Sequence, residues 1–235
     1  MTLMSDDAGK RLFVGIRVSV QSANALAGAA ETLARRAKDA GHDIHWVAPT
    51  NYHLTLKYLG WTRHETIDAL RDQVAEAIAG TPRFTFRTAR LGAFPALDAA
   101  LVVWAGIDTS PAVMQLHDKI EAATVAFGYP SETRPYVPHV TLGRLRETRP
   151  LKEVVLPLSE QMFSDTKVDS VSLFESQMKS SGSVYVEIAR IAFKPGSSPG
   201  LERAERQTGA VSLGAGADEP ETDDGWPRSG NPDKY

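Results

Sequence analysis

The sequence predicts an α+β fold: two pseudo-symmetric lobes of mainly antiparallel sheet, with outer helices around a central cleft. Two observations carry that expectation. Strand-like and helix-like segments alternate from Leu12 to Phe193. One pattern, His-x-Thr-Leu, occurs twice, as His53-Leu54-Thr55-Leu56 and His139-Val140-Thr141-Leu142. Each copy sits on a strand that follows a long helix, so the chain reads as one unit repeated.

The elements follow in order. Residues 12–18 form an apolar strand. Residues 22–40 are Ala-rich with helical spacing, and Gly41 suits the stop. Residues 52–59 form a strand ending at Gly60. Residues 65–79 form a second helix, stopped by Gly80. Residues 83–91 and 100–107 are strands around the turn-rich Gly92-Ala93-Phe94-Pro95. Residues 111–127 form a third helix, with Pro111 near its start and Gly128 after its end. Residues 137–145, 168–175 and 183–193 are strands, the last two joined through Ser180-Ser181-Gly182. A largely antiparallel sheet with helices packed outside it accounts for this order.

Composition narrows the function classes. Of 235 residues 42 % are apolar, enough for a sizeable core. No run approaches the roughly 18–20 apolar residues of a membrane span, so no membrane partner is expected. The start of the chain has no apolar signal-like segment, and a cytoplasmic monomer is expected. There is no cysteine, which excludes a thiol nucleophile and cysteine–zinc sites. Residues 196–235 hold seven Gly, four Pro and a net charge of −4, which predicts a disordered acidic tail after a folded unit over 1–195. The whole chain carries −3, so the folded unit is close to neutral at +1. That balance fits a small phosphate substrate or an RNA end better than a long duplex footprint.

The repeated pattern carries chemistry. On a strand, successive side chains point to opposite faces. His53 and Thr55 therefore share one face while Leu54 and Leu56 share the other; His139 and Thr141 are opposed by Val140 and Leu142 in the same way. Each strand anchors its apolar side in the core and presents an imidazole beside a hydroxyl. Two imidazoles across a cleft can divide acid and base work near neutral pH. The threonine hydroxyls can donate to non-bridging phosphate oxygens. Such a set suffices for a phosphodiester without metal or cofactor. Which histidine is acid and which is base stays open at this level. Lys57, in phase with His53 and Thr55, is a further candidate for the phosphate.

At these residues the chain resembles the two-histidine phosphoesterase family, and within it the RNA 2′,3′-cyclic phosphodiesterases formerly called 2′-5′ RNA ligases. The resemblance rests on residues 51–60 (NYHLTLKYLG) and 134–144 (RPYVPHVTLGR). It is supported by 11–16 (RLFVGI), 91–95 (LGAFP), 102–107 (VVWAGI) and 173–176 (LFES), with Gly182 and Tyr185 downstream. The resemblance implies a bilobal α/β fold and opening of a 2′,3′-cyclic phosphate to a 2′-phosphate. It implies His53 as proton donor, His139 as proton acceptor, and Thr55 and Thr141 as phosphate ligands. Arg144 matches a position that is often basic in the family. Strict alternation would put Arg144 on the face opposite His139, so that role requires a bulge or a strand end. The expected partner is an RNA 3′ end or a small cyclic-phosphate nucleotide.

The remaining candidate residues admit blander readings. Tyr136, Phe94 and Trp46 can stack on a base or pack the core. His42 and His45 hint at a metal, but no Asp, Glu or Cys completes a ligand spacing. His64 and His117 sit in polar helical contexts and are expected to be exposed. The competing functions are a cyclic phosphodiesterase acting on another nucleotide, such as an ADP-ribose cyclic phosphate, and a nucleotide-binding module without turnover.

Overall fold

A computed structural model describes residues 9–108, 110–179 and 182–193. The proposed tail, 196–235, lies outside the described residues.

The chain opens with strand β1 (Lys10–Arg17), whose central residues are buried, and turns into helix α1 (Val20–Asp39). Ser19 caps α1 by accepting from the Ser22 backbone N–H at 3.1 Å, which satisfies one of the orphan donors of the first turn. Leu26 and Leu33 face the core, and Arg36 and Lys38 complement the C-terminal end of the dipole. A two-residue strand β2 (His45–Trp46) leads to β3 (His53–Thr62), helix α2 (Ile67–Ala77), strands β4 (Phe84–Phe94) and β5 (Ala100–Ile107), and helix α3 (Pro111–Ala126). Strand β6 (His139–Arg149), a short helix α4 (Lys152–Val155) and strands β7 (Met162–Val168), β8 (Ser170–Lys179) and β9 (Gly182–Ala192) follow.

All described strand pairings are antiparallel and belong to one curled sheet of order β7-β4-β5-β6-β3-β1-β8-β9, with β2 added beside β6. Four strands of that order lie on each side of the β6/β3 seam. The two lobes are thus halves of a single sheet, and they meet through one residue pair, Leu54 opposite Val140. Helix α1 leans on β7, where the Ser19 and Ser22 hydroxyls donate to the Asp165 carbonyl. Helix α3 packs on β3, and α2 packs on α3 and β9. Leu54, Leu56, Val140 and Leu142 lie on the helix-covered face at 0–1 % exposure, as alternation predicts. The opposite face carries the histidines. Among the described residues, no helix is long and apolar enough to cross a membrane.

The sequence reading missed β7, β2 and α4, and it began the next strand at 168 where β8 runs Ser170–Lys179. The reason is compositional. Strand β7 (MFSDTKV) is an edge in which only Thr166 and Val168 are buried. Its pairing with β4, not its own hydrophobic pattern, makes it a strand.

Candidate active site

Both motif strands carry a β-bulge, and at the same residue of the motif. Along β3, Gly15 of β1 faces Thr55 and Val14 faces Lys57, so Leu56 is the extra residue. Along β6, Trp104 of β5 faces Thr141 and Val103 faces Gly143, so Leu142 is the extra residue. Two residues then oppose one, share its face, and shift the phase of everything beyond.

The shift decides two expectations. Arg144 returns to the His139/Thr141 face and lines the cavity, which strict alternation would have denied it. Lys57 moves the other way, and this corrects the expected alignment with His53. Its side chain is 5 % exposed, and the ammonium pairs with Glu121 of α3 at 2.7 Å and donates to the Pro130 carbonyl at 2.8 Å. Glu121 also accepts from the Glu132 backbone N–H at 2.8 Å. Burial works against the Glu121 charge, but Lys57, Glu132 and Ser131 outweigh it and hold the carboxyl below the usual range. Lys57 borders the cavity, yet its charge is committed to the 130–132 loop.

His53, Thr55, His139, Thr141 and Arg144 line one cavity of about 750 Å³. Each imidazole is anchored in the same way: His53 Nδ1 meets the Asn51 carbonyl at 2.7 Å, and His139 Nδ1 meets the Val137 carbonyl at 2.7 Å. A carbonyl only accepts, so each Nδ1 carries a proton and each Nε2 is left as the free nitrogen. Neighbouring rings limit rotation. Phe13 lies 4.7 Å and Tyr185 4.8 Å from the His53 ring; Phe94 meets His139 edge-on at 4.9 Å. The Asn51 side-chain amide donates to the Ser183 carbonyl at 2.8 Å, tying the turn before His53 to β9.

Burial pushes both imidazoles down to about 4 from the usual 6.5, although their carbonyl partners pull the other way. A charge on His139 adds to the lowering of His53, so the two rings sense each other across the cavity. The Arg144 charge lowers both, and Arg17 lowers His53 as well. Arg144 is itself pushed down by burial, with Tyr185 opposing. So lowered, both imidazoles favour the neutral form beside an arginine, an arrangement suited to an anion.

The other aromatic candidates are held by packing, although Tyr136 and Phe94 also line the cavity. Tyr136 is stacked on His117 at 3.7 Å, donates to the Thr55 carbonyl at 2.8 Å, and is pushed up by burial. Trp46 packs against the core, and Phe94 is buried against His139. His117 is not the exposed helix residue that its sequence context suggests, since its Nδ1 lies 2.8 Å from the Leu56 carbonyl, at the bulge. Among the described residues, no group of three or more His, Asp or Glu is arranged to hold a metal ion, and His45 is exposed.

Sequence reasoning passes over Tyr58. It stands in β3 where Arg144 stands in β6, lines the cavity and is 47 % exposed. Only the bulge reveals this, and no residue pattern in 53–58 announces one.

Comparison with known proteins agrees with the fold. The sequence profile of the 2′-5′ RNA ligase superfamily matches residues 24–179. The RNA 2′,3′-cyclic phosphodiesterase of Thermotoga maritima is 24 % identical over 186 residues, 79 % of this chain and 97 % of that protein. The protein of the same name from Aeropyrum pernix is 30 % identical over 144 residues, 60 % of this chain and 78 % of that one. Among solved structures, TT0787 of Thermus thermophilus superposes with a TM-score of 0.67 at 21 % identity, covering 79 % of this chain and 98 % of that chain. E. coli LigT complexed with 3′-AMP superposes with a TM-score of 0.58 at 24 % identity, with the same coverage. A curled antiparallel sheet bearing two His-x-Thr-Leu strands, with a profile match over most of the described residues, places the chain in the 2′-5′ RNA ligase superfamily.

Proposed function

We propose that the protein hydrolyses a 2′,3′-cyclic phosphate at an RNA end or on a nucleotide, leaving a 2′-phosphate. The observation that carries this reading is the pair of matched imidazoles, each with Nδ1 held by a backbone carbonyl and Nε2 left free in one cavity. The relatives named RNA 2′,3′-cyclic phosphodiesterase support the substrate class.

The chemistry needs one base and one acid. His139 Nε2 takes a proton from water as the water oxygen attacks phosphorus. The bond from phosphorus to the 3′-oxygen breaks, and His53 Nε2–H protonates that oxygen. Water thus supplies the new P–O bond, and one proton passes to each side. His53 starts this step as an imidazolium. The anionic phosphate favours that charge, opposing the burial that lowers both rings. Thr55, Thr141 and Arg144 hold the non-bridging oxygens, where charge accumulates. Lys57 acts at one remove, by fixing the loop that leads to His139. Tyr58 offers a half-exposed ring to the base.

Incubation with 2′,3′-cyclic AMP followed by chromatographic separation of 2′-AMP from 3′-AMP tests the reading. The expected product is 2′-AMP. Binding without turnover would make the chain a nucleotide-binding module, and 3′-AMP would reverse the leaving group.

A further inference from the structure

Beyond Arg144, strand β6 carries a second arginine, Arg146, which the chemistry above does not use. Arg144 and Arg146 line the main cavity, and both also line an adjoining cavity of about 380 Å³ with Asp43, Ile44, His45 and Trp46. The site therefore continues as a groove over β6 towards β2. His45 is exposed and lies directly across from Arg144 in the β2/β6 pairing. The register slips again between Arg144 and Arg149, so this stretch of β6 bows away from β5.

Neither arginine of this groove has its charge tied up locally. Among the described residues, neither Arg144 nor Arg146 forms an ion pair, whereas Arg149 further along is paired with Glu147. The one carboxylate lining the second cavity, Asp43, is in no ion pair with either arginine. An arginine fork matches a phosphate in geometry as well as in sign. Two residues apart on a strand, the Arg144 and Arg146 backbones are separated by at most ~6.8 Å. That length is comparable to the step between neighbouring phosphates along a ribonucleotide strand. The other half of the sheet breaks the symmetry here, with Tyr58 at the position of Arg144.

We propose that Arg146 is a specificity residue: it binds the phosphate on the 5′ side of the terminal nucleoside, so the groove over β6 selects an oligoribonucleotide end over a free cyclic mononucleotide. The proposal rests on the cyclic phosphodiesterase reading. Arg146 touches neither the reacting phosphorus nor the histidines, and its contribution is to binding.

The test compares kcat/KM for 2′,3′-cyclic AMP with that for the dinucleotide ApA ending in a 2′,3′-cyclic phosphate, for the wild type and Arg146→Gln. A third substrate replaces the linking phosphate of the dinucleotide with an uncharged methylphosphonate. The wild type should favour the charged dinucleotide about tenfold, the size of one charge-assisted hydrogen bond. Arg146→Gln should lose that advantage while keeping its rate on 2′,3′-cyclic AMP within about twofold. The methylphosphonate should behave like the mononucleotide in both proteins. Turnover of 2′,3′-cyclic AMP with no advantage for the dinucleotide, or an equal loss on both substrates in Arg146→Gln, would overturn the proposal and leave the hydrolytic reading standing. No turnover of any of the three would overturn both.

Discussion

Tyr58 and Arg144 occupy equivalent places in the two halves of the sheet. Each follows a bulged leucine by two residues, Leu56 and Leu142, and each lines the cavity on the side of its histidine and threonine. The halves supply matched imidazoles and hydroxyls but different third groups, a cation from β6 and an aromatic ring from β3. That difference gives an otherwise symmetric site a direction. Arg144→Gln should lower kcat/KM by about 10²-fold, because a charged donor to the reacting phosphate is lost. Tyr58→Ala should raise KM by about fivefold with kcat retained, as expected for loss of base stacking. Steady-state kinetics on 2′,3′-cyclic AMP separates the two patterns; a fall in kcat for Tyr58→Ala would place that ring in the chemical step instead.

Gly143 is the residue that lets the β6 bulge close. A Cβ there would lie 2.8 Å from Ile44 Cγ2 and 3.1 Å from Trp46. Its counterpart in β3 is Lys57, where the core leaves a path for a long side chain. Gly143→Val should destabilise the fold by about 1–3 kcal/mol through overpacking and displace Arg144 as well. Thermal melts and kinetics together check this. An unchanged Tm with full activity would show that β6 does not depend on the bulge in this form.

Lys57 distinguishes a structural from a substrate-binding cation. Lys57→Met removes the partner of a largely buried carboxylate and frees the 130–132 loop. The expected loss is about 2–3 kcal/mol, a Tm lower by roughly 5–10 °C. Glu121→Gln should shift Tm in the same direction. A raised KM with Tm unchanged would mean that Lys57 meets the phosphate after all.

The histidines also make stability depend on pH. Each is lowered from 6.5 to about 4 in the folded protein. Between those values the unfolded chain takes up protons that the native site refuses, so unfolding gains as pH falls. The contribution is fully present above pH 6.5 and is lost as pH drops towards 4. Melting across the range from about pH 7.5 to about pH 4.5 should show this decline, and a His53→Gln/His139→Gln double variant should show a shallower one. Identical slopes would mean that neither ring is held neutral by the fold.

The meeting of His53, Thr55, His139 and Thr141 in one cavity was legible in the sequence because both parts of the signal are local. Alternation on a strand puts His53 with Thr55 and His139 with Thr141, and the leucines bind each strand to the core. The α+β order was legible for the same reason, through helical spacing and glycine stops such as Gly41 and Gly128, both at positive φ. What lay beyond Leu56 and Leu142 was not legible. A bulge is set by how β1 and β5 pair with these strands, and that pairing is long-range. It moved Lys57 to Glu121, brought Arg144 into the cavity and exposed Tyr58. His117 misled because its partners, Tyr136 and the Leu56 carbonyl, come from distant segments.

The central claim is that two histidines share one transition state. Its most direct test is kcat on 2′,3′-cyclic AMP for His53→Ala, His139→Ala and the double variant, each confirmed as folded by circular dichroism. Each single change should lower kcat by ~10² or more. The double change should cost far less than the product of the two losses, because removing either group already disables the common step. Full activity in either single variant would contradict the two-histidine mechanism.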